Sequence, residues 1–292
     1  MNNNQEKVQS ALEKIEKGLA NINTNEDWLN FLNFQSRFYN YSFGNVLLIL
    51  MQKPNASYVK GFRAWNELGR YVKKGSKGIA ILAPCTRKIE VFKETDKKVF
   101  QDKEGEKEIK TILTGFRIAY VYDISDTDGS DEQLPVLVKG LSGNGEQEKA
   151  IYETIYTFIS KEHTIREVTG TAEKGSYNLE TKVISIRSGL EYLQKIKTLL
   201  HEYAHLIDFQ MHPEEDISRN RRELIAESTA YVVSSYFGLD TSRYSMGYIR
   251  SWLKDDNELK EIAETVQKIS NTIITNMAGL ENPAFIISKE EK

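Results

Sequence analysis

The sequence of 292 residues is poor in cysteine, proline and histidine, and it contains no long apolar run. The single cysteine, Cys85, excludes an internal disulfide framework and suits a reducing cytoplasm. The longest apolar stretch, 46–51, is too short to cross a bilayer, and the polar N-terminus lacks the apolar core of a secretory signal. These scarcities predict a cytoplasmic, water-soluble protein with no membrane partner.

Hydrophobic residues make up 40% of the chain and charged residues 28%, which is typical of a globular protein. An acidic, glycine-rich stretch over 126–145 is the best candidate for a domain boundary. We therefore predict an N-terminal domain over 1–125, a linker over 126–145 and a C-terminal domain over 146–292. Both halves mix helical and strand patterns, so the predicted fold class is α+β.

Apolar periodicity predicts the main elements. In the first half it indicates helices over 8–20, from 25 onward and over 43–51, and strands over 79–82, 88–92 and 116–122. The second half indicates a helix over 148–160, strands over 164–168 and 182–186, a long helix through residue 201 and a helix over 219–237. The intervening stretch 93–110 is rich in lysine and glutamate and is predicted to be a solvated hairpin tip.

The strongest chemical signal is the pair His201 and His205, with Glu202 directly after the first histidine. Residues four apart lie on one helical face, so both imidazoles can bind one ion, and Zn²⁺ is the usual occupant of this motif. Glu202 would then act as the general base, taking a proton from a water that the zinc has acidified. The alternative is a pair of ordinary surface histidines on a helix.

A catalytic zinc needs a third protein ligand. The residues after His205 do not continue as a third-histidine motif, so the ligand is sought on the following predicted helix. Glu223 and Glu227 lie four apart there, and small residues follow Glu227, which favours close helix packing at that point. We predict Glu227 as the ligand and Glu223 as an outer partner of an imidazole, with Asp208 a second such partner.

Metallopeptidases of this type also bind their substrate along a strand at the edge of the cleft. The predicted strand over 182–186 is the candidate here. The glycine-containing stretch 175–177 could bring backbone close to the ion, or it could be an ordinary turn.

The N-terminal half carries a basic segment over 53–88, with nine lysines and arginines and one acidic residue, Glu67. Aromatic residues are dense over 34–71. Basic side chains can follow a phosphate backbone while exposed rings stack on bases, which favours single-stranded nucleic acid over duplex recognition. The same aromatic residues could equally form a hydrophobic core.

Several stretches, in this order along the chain, resemble the ArdC-type antirestriction proteins. Those in the first half are 34–45, 61–65, 72–78 and 116–125, and those in the second half are 226–233, 238–240 and 244–252. The resemblance implies an N-terminal mixed α/β domain that binds single-stranded DNA and a C-terminal zincin-like α+β metallopeptidase domain. It also implies a plasmid or conjugative element as the source, and a role in shielding incoming single strands from restriction.

Taken together with the basic and aromatic composition, the resemblance makes DNA contacts in the first half an expectation. The residues predicted to make them are Tyr39, Tyr41, Trp65, Lys73, Lys74 and Lys77.

Two other interpretations remain open. One is a protease proper, either a repressor-cleaving enzyme of the ImmA type or a DNA-dependent enzyme of the Spartan type. The other is a binding module with a structural zinc. Glu202 argues against a structural zinc, because such a site needs no general base.

Overall fold

The computed structural model describes residues 3–92, 107–132, 134, 145–213, 217–242 and 256–278. Its helices are α1 (Asn3–Ala20), α2 (Asn25–Arg37), α3 (Phe43–Gln52), α4 (Phe62–Glu67), α5 (Gly145–Ser160), α6 (Tyr192–Met211), α7 (Arg219–Tyr236) and α8 (Asp256–Ala278). Its strands are β1 (Val59–Gly61), β2 (Arg70–Val72), β3 (Ile79–Phe92), β4 (Lys107–Asp123), β5 (Thr127–Gly129), β6 (Thr164–Val168), β7 (Gly175–Asn178) and β8 (Val183–Arg187).

These elements confirm the α+β class. The two short strands predicted over 79–92 are one long strand, β3, with a register shift between Cys85 and Thr86. Most of the predicted hairpin tip and of the predicted linker lies outside the described residues, as does the stretch 244–252. Within the described residues, no helix is both long enough and apolar enough to span a membrane.

Three small sheets organise the strands. In the first half β4 lies between β1 and β3, and all pairs are antiparallel, while β2 pairs with β5. The outer edge of β3 is covered by α3. The Asn45 amide bonds both the N–H and the C=O of Leu82, and the Gln52 amide does the same for Ala80. These side chains satisfy backbone groups that an open edge would leave unpaired.

The third sheet belongs to the second half. β8 is its central strand, parallel to β6 on one side and antiparallel to β7 on the other. Ile184 and Ile186 of β8 are fully buried, as expected for a central strand covered by helices.

The two halves share one continuous core. Helix α2 packs against α7, and the buried indole of Trp28 donates a hydrogen bond of 3.0 Å to the Ser228 hydroxyl. The Tyr39 ring packs edge-on against Tyr236 of α7, with ring centroids 5.2 Å apart. The division at residues 125 and 146 stays a prediction, but the first helices pack directly on the helix that follows the motif helix.

Candidate metal centre

Two neighbouring helices, α6 and α7, position the site. The motif lies in the middle of α6, where the interleaved apolar positions Leu199, Leu200 and Ala204 are fully buried. On α7 the small residues Ala226, Ser228, Thr229 and Ala230 are all fully buried. Small side chains let the two helix backbones approach closely, so the carboxylates of α7 reach the imidazoles of α6.

The imidazoles of His201 and His205 converge. Their Nε2 atoms are 3.1 Å apart, and the carboxylate of Glu223 faces both, with Oε2 3.4 Å from Nε2 of His201 and Oε1 3.7 Å from Nε2 of His205. Among the described residues, His201, His205 and Glu223 form the one group whose ligand atoms lie close enough together to hold a metal ion.

The spacing of these atoms suits a tetrahedral ion. Zinc binds nitrogen and oxygen ligands at about 2.0–2.1 Å, which places two tetrahedral ligand atoms about 3.3–3.4 Å apart. The two Nε2 atoms are 3.1 Å apart, which is close to that value, and each has a Glu223 oxygen at a similar distance, Oε2 at 3.4 Å for His201 and Oε1 at 3.7 Å for His205. Two imidazoles and one carboxylate are also a donor set that a catalytic zinc uses, so the residues present fit the ion.

Glu227 lies behind the histidines. Its Oε1 is 3.3 Å from Nδ1 of His201, the ring nitrogen that faces away from the cluster. The Lys197 ammonium lies 2.7 and 2.6 Å from the two carboxylate oxygens, and both side chains are almost completely buried. Sequence reasoning missed Lys197. Its position four residues before His201, on the same face of the helix, is the signal that could have identified it.

Charge and burial shift the ionisation of the site. Burial lowers the pKa of His201, but the carboxylates of Glu223 and Glu227 outweigh it and raise that pKa to about 9. Hydrogen bonds from His201 and His205 hold the pKa of Glu223 well below its ordinary value. For Glu227, burial raises the pKa, but His201 and Lys197 outweigh it and the net shift is downward. Two anionic carboxylates therefore face the histidine pair.

Glu202 lies on the same helix in a buried position, and burial raises the pKa of its carboxyl group. Gly175, the first residue of β7, packs directly against it. A Cβ atom at residue 175 would lie 3.0 Å from Oε1 of Glu202 and 2.5 Å from Cγ2 of Thr198. Only glycine therefore lets the β7 backbone approach the carboxylate this closely.

The predicted substrate strand over 182–186 is not an edge strand. It corresponds to β8, whose two edges are occupied by β6 and β7, so it has no free backbone groups to offer a peptide. Within the part of the sheet that the structure describes, β7 is the edge strand nearest the motif helix. The prediction was wrong because periodicity reveals a strand but not its place in the sheet order.

Asp208 does not contact the histidines of the cluster. Its fully buried carboxylate accepts a hydrogen bond of 2.7 Å from Nη1 of Arg222 and lies 3.0 Å from Nδ1 of His212. The Arg222 guanidinium in turn stacks on the Phe209 ring at 4.1 Å. This network joins the C-terminal end of α6 to the start of α7, so Asp208 links the two helices away from the histidine pair.

The aromatic residues predicted to contact DNA are largely occupied inside the protein. Trp65 is fully buried, and its indole donates to the backbone oxygen of Tyr122 at 2.8 Å. The Tyr41 hydroxyl donates to the backbone oxygen of Val59, and burial raises its pKa to about 12. Tyr39 packs on Tyr236. None of these three residues is among the exposed aromatic residues of the described chain.

The three predicted lysines do lie at the surface: Lys73, Lys74 and Lys77 are exposed in the turn between β2 and β3. Lys73 is 3.3 Å from the Asp128 carboxylate, which offsets part of its charge. Among the described residues of this half, the exposed aromatic side chains are different ones, namely Phe62, Tyr71, Phe116 and Tyr120.

The fold and the site together define an α+β protein that carries a candidate mononuclear metal centre on two packed helices. Residues 1–122 match the family of the N-terminal domain of anti-restriction factor ArdC. The ArdC resemblance identified from the sequence is therefore confirmed for this first part of the chain.

The sequence identity of this chain to individual proteins is low. An uncharacterized Bacillus anthracis protein, pXO2-81, is 24% identical over 319 aligned positions, which cover 98% of this chain and 53% of that protein. The chain thus spans about half the length of this relative. Crystal structures of the antirestriction protein ArdC from plasmid R388, one metal-free and one with Mn(II), are 22% and 21% identical, with TM-scores of 0.47 and 0.46. They cover 83% and 82% of this chain and 87% and 86% of theirs.

Proposed function

We propose that this protein is an ArdC-type antirestriction factor that binds single-stranded DNA through its first half and hydrolyses peptide bonds at a metal centre in its second half. The observation that carries the enzymatic part is the convergence of His201, His205 and Glu223 beside the buried carboxyl group of Glu202. A structural metal site would not need this carboxyl group. The lone cysteine suits action in the cytoplasm.

In this proposal Glu223 is the third ligand and Glu227 positions His201. The sequence alone favours the opposite assignment. Glu223 faces the two Nε2 atoms, whereas Glu227 lies at Nδ1 of His201 and is held by Lys197. A carboxylate at Nδ1 fixes the tautomer and orientation of a ligating imidazole, which is the usual role of an outer partner. The proposed ion is Zn²⁺, for which the donor set and spacing are suited.

In the proposed reaction the ion, Glu202 and strand β7 would each have a separate task. The bound ion supplies Lewis-acid polarisation of the scissile carbonyl. Glu202 takes a proton from the attacking water and delivers it to the departing amine, and its raised pKa brings it closer to the working pH for both steps. The edge of β7 would align an extended peptide beside Glu202, because Gly175 brings that backbone against the carboxyl group.

The DNA-binding part rests on the ArdC match over 1–122 and on the exposed lysines between β2 and β3. A second candidate function is a DNA-regulated or repressor-cleaving protease of the Spartan or ImmA type. The packing of α2 on α7 favours the DNA-regulated form, since the hydrogen bond from Trp28 reaches the residue next to Glu227. A ligand of the first half would then act on the helix that carries the acidic ligand.

Glu202→Gln is expected to keep one bound metal ion and to lose at least about 100-fold in peptidase activity, because the amide cannot accept the proton. Metal content would be measured after dialysis against Zn²⁺ or Mn²⁺, and cleavage would be measured on an unstructured protein such as casein, with and without single-stranded DNA. Glu180→Gln, an exposed change in the turn between β7 and β8, is the matched control. Equal cleavage by Glu202→Gln and the native protein would remove the general-base role.

The intact protein is expected to bind a fluorescent oligothymidine more tightly than a duplex of equal length. The logarithm of its affinity should fall linearly with the logarithm of salt concentration, because binding releases counterions. Fluorescence anisotropy over a salt series would measure both properties. Equal affinity for the two forms, or no binding to either, would contradict the DNA-binding part of the proposal.

A further inference from the structure

A shallow groove of about 190 Å³ runs between α1 and the three-stranded sheet of the first half. One wall is a single face of α1, and the other is formed by α3 and the sheet. The residues that line it are Lys7, Ser10, Ala11, Lys14, Leu48, Gln52, Ala80, Ile118 and Tyr120. Two of these residues are lysines and none is acidic, so the groove has a positive rim over a mostly apolar floor.

The aromatic element of the groove is Tyr120. In the antiparallel register it lies opposite Ala80, and 52% of its side chain is exposed. Gly78 lies against its ring, because a Cβ atom at residue 78 would be 3.0 and 3.1 Å from Cβ and Cδ1 of Tyr120 and 3.2 Å from Cζ of Tyr122. The ring of Tyr120 is thus supported from one side and open to solvent on the other.

Two lysines line the groove, and a third lies next to Gly78 in the sequence. Lys7 and Lys14 lie one above the other on α1, seven residues apart, and both are exposed. Lys77, also exposed, immediately precedes the glycine that lies against the ring. An exposed aromatic side chain with lysines nearby is the arrangement that binds the bases and phosphates of a flexible single strand.

We propose that this groove is the base-stacking site of the protein, with one base on Tyr120 and adjacent phosphates on Lys7, Lys14 and Lys77. The assignment rests on the proposed single-strand function and gives it a location. The groove takes the place of the buried Trp65 and the partly buried Tyr39 and Tyr41. It adds lysines of α1 that lie outside the basic segment of the sequence. A duplex would not bind in this way, since its bases are already stacked on one another.

Three variants of the intact protein test the groove by fluorescence anisotropy. Tyr120→Ala is expected to weaken oligothymidine binding roughly 5-fold to 100-fold, which corresponds to the loss of one stacked base. The same variant should change affinity for an abasic phosphodiester oligomer less than about twofold. Lys7→Gln with Lys14→Gln should reduce the slope of log affinity against log salt by about 1.4, since each single-strand phosphate contact contributes about 0.7.

The third variant, Ser10→Glu, adds a negative charge between the two lysines at an exposed helical position and should weaken binding to both oligomers. The matched control is Lys260→Gln with Lys268→Gln, which removes two exposed charges from α8 and should leave the slope unchanged. Thermal unfolding and metal content, which these surface changes should not alter, report that each variant is folded.

The outcomes separate the two proposals. If the native protein binds the oligothymidine but Tyr120→Ala binds it equally well, or the control pair lowers the slope as much as the α1 pair, the groove assignment is overturned and the single-strand function stands. If Tyr120→Ala weakens binding to the abasic oligomer equally, the ring does not stack on a base, and the site is a general polyanion surface. If the native protein binds no single strand, both proposals fall.

Discussion

Glu223→Gln is expected to abolish stoichiometric metal binding, whereas Glu227→Gln is expected to retain it with an affinity lowered about 10-fold to 100-fold. The two substitutions make the same chemical change on neighbouring turns of α7, so each is the matched control of the other. The physical reason is their orientation, because Glu223 faces both Nε2 atoms while Glu227 lies at Nδ1 of His201. Titration of the metal-free variants with Zn²⁺ and Mn²⁺ would measure stoichiometry and affinity.

Further variants give reference values for the loss and for the weakening of metal binding. His201→Ala and His205→Ala should also lose the ion, and a tightly bound ion retained in both would refute the site as a whole. Lys197→Met should resemble Glu227→Gln, since both changes disturb the carboxylate that orients His201. If Glu227→Gln lost the ion while Glu223→Gln kept it, the original assignment from the sequence would be restored.

Trp28→Ala is expected to destabilise the whole protein by about 3–5 kcal/mol, the usual cost of truncating a buried tryptophan. Trp28 is fully buried where α2 packs on α7, so the loss should appear in a single cooperative transition that includes α6 and α7. Urea unfolding of the metal-free protein, followed by far-UV circular dichroism, would measure the change in free energy. Phe62→Ala, an exposed aromatic residue, should stay within about 0.5 kcal/mol.

A double-mutant cycle isolates the polar contact across the two halves. Trp28→Phe leaves the buried Ser228 hydroxyl without its donor, and the combined change Trp28→Phe with Ser228→Ala should recover part of that loss, because both partners are removed. Two separate unfolding transitions, with Trp28→Ala shifting only the first, would instead show that the halves are independent. In that case a fragment over 1–125 would fold alone, an outcome that the packing of α2 on α7 argues against.

The sequence by itself indicated the part of the candidate site that depends on local spacing. His201, Glu202 and His205 are brought together by one helix, whose period is a property of the backbone, so four-residue spacing is sufficient evidence that both imidazoles share a face. Buried strands and helices likewise follow from apolar periodicity, which is why the α+β class and most elements were predictable. The ArdC resemblance over the first half rests on ordered motifs that are also visible in the sequence.

Only the tertiary structure decided the features that depend on how one element packs against another. Glu223 and Glu227 lie four residues apart on one helix, and they face different ring nitrogens of His201 because of how α7 packs on α6, which the sequence does not encode locally. The place of β7 at the sheet edge, the burial of Trp65 and the exposure of Tyr120 are also long-range outcomes. An aromatic side chain is equally suited to a core and to a stacking surface, and packing alone determines which it becomes.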